Sequence, residues 1–191
     1  MLDQEKFFNT YKVQEAFEDS GLSWDTLEKI YDDYKSRLPE MKKMADHLQE
    51  EISKEIDFHV HSIHNRCKNP EHLIEKIIRK VGVEKRQKYK SINEKNYLRI
   101  VRDLMGVRIL ILSKEEWRTV HDFLLKVDED PRYDICMAEM PRAYICYGDR
   151  DIFNYTIHKE YTDKGYRSQH YILKYRFVRS QKKFMRSLTI M

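Results

Sequence analysis

Arg66-Cys67-Lys68-Asn69-Pro70-Glu71-His72-Leu73-Ile74-Glu75-Lys76 decides how this chain is read, because a strand ends in it and a helix begins. Upstream, Phe58 to Arg66 shows partial alternation of apolar and polar residues, the pattern of a half-buried strand. Asn69 is a good N-cap and Pro70 suits the first helical position, where its missing N–H costs nothing. Leu73, Ile74, Ile77 and Ile78 then recur at helical spacing as a buried stripe. His72, Lys76 and Lys80 follow one another on a different face, with Arg79 beside them. Arg66 and Lys68 thus stand at a helix N-terminus, where backbone N–H groups already favour anions. Lys76 and Arg79 extend the positive wall. Several convergent cations are what a polyphosphate needs, because its charge is spread over many oxygens.

Two further clusters lie downstream. Asp103 precedes Gly106 to Leu112, an apolar β-branched run that reads as a buried strand. A carboxylate fixed at a strand start is well placed to hold Mg²⁺. Gly106 lets a ligand or another backbone approach closely. Arg108 is a charge in an otherwise apolar strand, and the bland reading pairs it with Asp103. The third cluster is Gly165-Tyr166-Arg167-Ser168-Gln169-His170. Gly165 permits a tight turn into a strand expected over Tyr166 to Phe177, along which Tyr166, Ser168 and His170 share one face. That face offers an aromatic plane for base stacking, a hydroxyl and an imidazole.

The remaining segments complete an α+β pattern. Helices are expected from Trp24 to Leu38, capped by Ser23, and from Met41 to Ile56. Ser113 to Glu116 forms a capping box, and the helix it opens buries Trp117, Val120, Leu124 and Val127. Short strands are expected at Tyr133 to Met137 and Ala143 to Tyr147. Val81 to Arg102 is polar, basic and without clear periodicity. The order of elements predicts a mixed sheet flanked by helices. The expected division is an N-terminal helical segment over 1–57 and a second domain over 58–191.

Composition narrows the function classes. The 191 residues suffice for a domain with a real core, and 41% hydrophobic with 36% charged residues reads as globular. No apolar run is long enough to cross a bilayer, and the N-terminus lacks the layout of a signal peptide, so the expected location is the cytoplasm. A net charge of +4 is too mild for a general nucleic-acid binder. Between Lys76 and Arg102, however, basic residues dominate and the only acids are Glu84 and Glu94; a local anion site is one reading, and a solvated helix face and loop is the better one for most of those residues. Cys67, Cys136 and Cys146 are scattered and odd in number, which argues against a disulfide framework and a thiolate zinc site. His59, His61 and His64 do not share one strand face, which argues against a metal there.

The ordered set R-x-K-x-x-x-x-x-x-x-K, D-x-x-G-x-R and G-Y-x-S-x-H resembles the RelA/SpoT-type (p)ppGpp synthetase domain, the alarmone synthetase or GTP pyrophosphokinase family, over about Phe58 to Phe177. The resemblance implies a nucleotidyltransferase-like fold. It implies transfer of the β,γ-pyrophosphate of ATP to the 3′-hydroxyl of GDP or GTP, with Mg²⁺ as cofactor. It implies that Arg66 and Arg108 sandwich the adenine, while Lys68, Lys76 and Arg79 hold ATP phosphates. Asp103 is the implied Mg²⁺ ligand, Tyr166 stacks on guanine, and His170 meets acceptor phosphates.

The sequence departs from that family in several places. Position 72 is His where many members have Ser. Arg86-x-Lys88 offers a competing register for the first motif, but it lacks the Asn-Pro-Glu helix start. His158 to Lys164 lacks the usual Pro-Lys-Pro-Asn pattern. The family's following strand, roughly E-[IV]-Q-[VL]-R-T, supplies a second carboxylate, whereas Val178 to Met191 contains no Asp or Glu. The expectation is therefore a chain cut short, with an unpaired sheet edge and impaired transfer. Two alternatives follow: pyrophosphate transfer to the 3′ end of tRNA, prompted by the basic stretch Lys85 to Arg102, and a catalytically dead nucleotide-binding module. His121-Asp122 resembles the hydrolase half of long family members, but it stands alone and no hydrolysis is expected.

Overall fold

The computed structural model describes residues 2–56, 60–113, 115–149, 158–162, 165–175 and 186–190. The chain divides into two compact units, Met1–Met41 with Cys67–Leu104 and Lys42–Arg66 with Met105–Met191. The helices are α1 (Gln4–Tyr11), α2 (Gln14–Glu18), α3 (Trp24–Ile56), α4 (Pro70–Gly82), α5 (Tyr97–Ile100) and α6 (Glu116–Glu129). The strands are β1 (Ser62–Cys67), β2 (Met105–Leu110), β3 (Ile135–Met137), β4 (Arg142–Ile145), β5 (His158–Tyr161), β6 (Ser168–Tyr175) and β7 (Arg186–Ile190).

The two helices expected before residue 57 are one. α3 runs through Pro39. Proline forfeits a helical hydrogen bond, but the buried stripe Leu27, Ile30, Tyr34, Met41, Ala45, Leu48, Ile52 and Ile56 keeps its spacing across it. Packing of that stripe outweighs the local penalty.

In the first unit, Phe7, Phe8 and Phe17 gather around Trp24 with ring centroids 5.4–6.1 Å apart. α4 buries Leu73, Ile74, Ile77 and Ile78, as its periodicity predicts. It ends at Gly82 against α2, where a Cβ would come within 1.9 Å of the Ala16 carbonyl oxygen. Only glycine fits that approach. The segment without periodicity folds by burying Tyr89, Ile92, Tyr97 and Val101 around short turns.

The second unit is a sheet in the order β1-β2-β7-β6-β4-β5, with β3 also on β6. α6 and the end of α3 cover one face. Leu48, Ile52, Trp117, Val120, Leu124 and Val127 pack there against Val107, Ile109, Ile145, Tyr171 and Leu173. At the sheet edge the Gln49 amide donates to the Ile63 carbonyl at 3.0 Å and accepts the Asn65 N–H at 3.0 Å. A helix side chain thereby occupies backbone groups that would otherwise invite another strand.

One expectation fails at β7. The sheet was expected to end unpaired beyond β6, yet β7 lies between β6 and β2, antiparallel to the first and parallel to the second. Arg186-Ser187-Leu188-Thr189-Ile190 offers the β-branched and apolar content a central strand needs, without the family's E-x-Q-x-R-T pattern. It brings no carboxylate.

His121 is a core residue. Its ring stacks on Trp117 at 4.8 Å, and its Nδ1 lies 2.8 Å from the Tyr171 hydroxyl. Burial lowers its pKa. The unfolded chain therefore binds a proton that the folded chain resists, and stability falls as pH drops from the unfolded value near 6.5 through the lower folded one. The unfolding free energy from urea titration should decline between pH 7 and pH 5, by up to about 1.4 kcal/mol per pH unit from this group. The decline should be shallower in His121→Gln; an identical pH profile in that variant would refute the assignment.

Candidate functional site

The chemistry-bearing residues fall in both units, and each set is built separately. In the first unit, Asn69 caps α4 by accepting the Glu71 and His72 amides at 2.8 and 3.3 Å. This fixes the turn that follows Lys68. The Lys68 N–H bonds the Leu104 carbonyl at 2.8 Å. The buried Tyr34 hydroxyl approaches the carbonyls of Lys68 and Leu104 at 2.7 and 3.1 Å. These bonds bring the segment before α4 beside the segment carrying Asp103. The Asp103 carboxylate receives one ammonium on each oxygen, Lys76 at 2.6 Å and Lys68 at 3.2 Å.

All three side chains are partly buried, which strengthens the interaction. Burial alone would raise the Asp103 pKa, but Lys76 and Lys68 override it and hold the carboxyl below its usual range. At Lys76 burial wins, lowering its pKa despite the carboxylate. Arg79 is engaged elsewhere: it pairs with Glu75 at 3.2 Å and with Glu84, which also holds Lys80 and Arg86. His72 meets the Tyr11 ring edge-on at 5.5 Å. Arg86, the start of the competing register, precedes a short turn at Gln87–Tyr89 and not a strand-to-helix joint.

In the second unit, strand alternation sorts the residues. Ile63, Val107, Ile109, Ala143, Ile145, Tyr171 and Leu173 point to the core. The intervening positions, among them Arg66, Arg108, Arg142, Tyr144, Glu160, Ser168 and His170, therefore lie on the opposite face. Arg108 is exposed because the pleat turns it outward, and Asp103 takes the two lysines. Arg66 is exposed on β1, next to β2.

The register aligns Arg108, Thr189, His170, Arg142 and His158 across β2, β7, β6, β4 and β5. His170 Nε2 lies 3.1 Å from Ser168 Oγ and 3.5 Å from the Tyr166 hydroxyl, and the Tyr144 ring stands 4.9 Å away. Burial lowers the His170 pKa against the opposing pull of Glu160. The imidazole is thus biased neutral, able to offer a lone pair or an N–H.

Gly165 has φ 71°, the left-handed conformation that glycine adopts freely. The turn is pinned further by Arg167 on buried Asp149 at 2.6 Å and by the Thr162 hydroxyl on the Tyr166 carbonyl at 2.8 Å. Tyr166 is left 45% exposed, a free ring face beside His170. Tyr144, Arg142 and Glu160 were not legible as site residues. Tyr144 and Arg142 take their places from the register of β4 on β6, and Glu160 from that of β5 on β4, pairings that local sequence does not show. His61 and His64 are exposed, and His59 lies outside the described residues. Among the described residues no three His, Cys, Asp or Glu side chains gather as a metal set, and no helix is long and apolar enough to cross a membrane.

No family model matches the chain. No curated protein matches it in sequence either. Solved structures do. Small alarmone synthetase 1 from Bacillus subtilis aligns with a TM-score of 0.55 at 17% identity, over 83% of this chain and 70% of that one. The same enzyme bound to its product pppGpp aligns equally well, with a TM-score of 0.55 and 17% identity over 82% and 71%. A GTP pyrophosphokinase family protein from Streptococcus pneumoniae gives 0.52 at 18% identity, over 88% and 70%. A mixed sheet covered by α6 and the end of α3 is the α+β fold of the small alarmone synthetases.

Proposed function

We propose that the chain transfers pyrophosphate from ATP to the 3′-hydroxyl of GDP or GTP, making (p)ppGpp. The observation that carries this reading is Asp103 held between Lys68 and Lys76. Two ammonium groups and one carboxylate in a partly buried setting suit a metal-bound polyphosphate. Lys68 and Lys76 would hold phosphate oxygens, and Asp103 would hold the cation. One carboxylate fits Mg²⁺, which is commonly held by one or two carboxylates together with substrate phosphates. When bound, Mg²⁺ neutralises charge developing on the transferred group.

The other residues bind and orient. Arg66 and Arg108 are exposed guanidinium groups suited to stacking on adenine. Arg79 joins the phosphates by exchanging Glu84 for them. Tyr166 stacks the guanine, and His170, steadied by Ser168, receives acceptor phosphates. Such a reaction needs positioning and charge neutralisation more than covalent chemistry. The likeness to a structure bound to pppGpp supports the reading. Its test is incubation with γ-labelled ATP and Mg²⁺, offering GDP, GTP and tRNA separately; label on a guanine nucleotide is expected, and label on tRNA alone overturns it.

Tyr166→Ala separates the two nucleotide roles. Stacking of a base on an aromatic ring is worth about 1–3 kcal/mol. GDP binding should weaken by about fivefold to a hundredfold while ATP binding changes little, measured by calorimetry. Equal losses for both ligands would remove the stacking role.

A further inference from the structure

The face that carries Tyr166 and His170 presents one carboxylate at a described strand position, Glu160. In register, Glu160 faces Tyr144 on β4, and Tyr144 faces Ser168 on β6. Tyr144 in turn touches both binding residues, its ring 4.9 Å from His170 and 6.1 Å from Tyr166. Glu160 is two strand spacings from β6, about 10 Å along the sheet, and four from β2, about 19 Å. It is thus out of reach of chemistry held at β2 and within reach of a base lying on Tyr166. Its ion pairs, with Arg142 at 3.4 Å and His158 at 3.9 Å, both fall on Oε1, and the Tyr144 hydroxyl also hydrogen-bonds the carboxylate. The side chain is 38% exposed, open to an incoming group.

Guanine has a feature that only an acceptor pair matches. Its N1–H and 2-amino group are adjacent donors on one edge, and an ionised carboxylate offers two acceptor oxygens at the same spacing. Adenine presents an acceptor at N1 and would meet the carboxylate with repulsion. We infer that Glu160 reads the N1–H and 2-amino edge of the acceptor nucleotide, making it the residue that selects guanine. This rests on the proposed function and names the base-specificity residue of that site. Tyr166 supplies base-independent stacking; Glu160 supplies the discrimination.

The experiment is Glu160→Gln with three acceptor nucleotides: GDP, inosine diphosphate and xanthosine diphosphate. Xanthine replaces the 2-amino donor of guanine with a carbonyl acceptor. A glutamine amide accepts from N1–H and donates to that carbonyl, so it fits xanthine and opposes guanine. By calorimetry the parent chain is expected to bind GDP about tenfold or more tighter than the other two. E160Q is expected to invert the order of GDP and xanthosine diphosphate. A variant that weakens both alike, or keeps the parent's ratio, overturns the inference, because loss of a merely structural ion pair has no reason to favour xanthine. Should E160Q fail to fold by circular dichroism, the parent decides: GDP bound no tighter than inosine diphosphate overturns the inference. Absence of any guanine-nucleotide binding by the parent overturns instead the function on which it rests.

Discussion

Asparagine at position 103 is expected to lower pyrophosphate transfer by about a hundredfold to a thousandfold, the scale seen when a preorganised charged or polar partner leaves a transition state. The substitution keeps shape and volume but halves the acceptor capacity of the side chain. One position that now receives an ammonium would present an NH₂, and Lys68 or Lys76 would lose its partner. No carboxylate enters through β7, so nothing on that strand takes over the role. The fold should survive, because Tyr34 and the Lys68–Leu104 backbone bond hold the segment independently of the charge. The check is labelled-ATP turnover at saturating Mg²⁺ beside a thermal melt. Parent-like turnover would remove Asp103 from the site; a collapsed melt would make its role structural.

Trp117→Ala should destabilise the second unit by about 3–5 kcal/mol, the range for removing a large aromatic from a packed core. Trp117 is fully buried and lies in the cluster that joins α6 to the sheet. Its loss strips one face from the His121 ring, which stacks on it, and loosens the support of Tyr171 through the His121 bond. Since Tyr171 directly follows His170 on β6, the cavity lies under the face that carries His170. Urea unfolding followed by tyrosine fluorescence and far-UV circular dichroism measures the loss. A change below about 1 kcal/mol would mean that the core collapses to fill the space.

What the sequence revealed and what it hid divide along physical lines. The Asn69-Pro70 start of α4 and its apolar stripe were legible because capping and periodicity are local. The Asp103, Lys68 and Lys76 residues were legible as candidates, but their mutual ion pairs were not, since these depend on Tyr34 drawing two distant carbonyls together. Arg108 was legible as a candidate, but an apolar run hides which side each residue takes; only the pleat shows it turned outward. β5 and β7 escaped notice because each is short and surrounded by polar residues, so its identity comes from its neighbours. Glu160 was hidden for that reason, whereas Tyr144 lies on an expected strand and its place beside His170 comes from the β4–β6 register.

The placement of β7 sets a timetable for synthesis. Gly106 pairs with Ser187, and Arg108 with Thr189, so a loop of about eighty residues closes before β2 gains this neighbour. At about 5–20 residues per second, a ribosome needs roughly 4–16 s to make that loop. During this interval β2, with Val107 and Ile109 on one side, carries backbone donors and acceptors on its β7 side that no strand yet occupies. Local structure such as α4 forms in microseconds and does not wait. The central pairing of the sheet is thus the slow event in the life of the nascent chain, and the seconds before it are when chaperone capture or aggregation competes most strongly with folding.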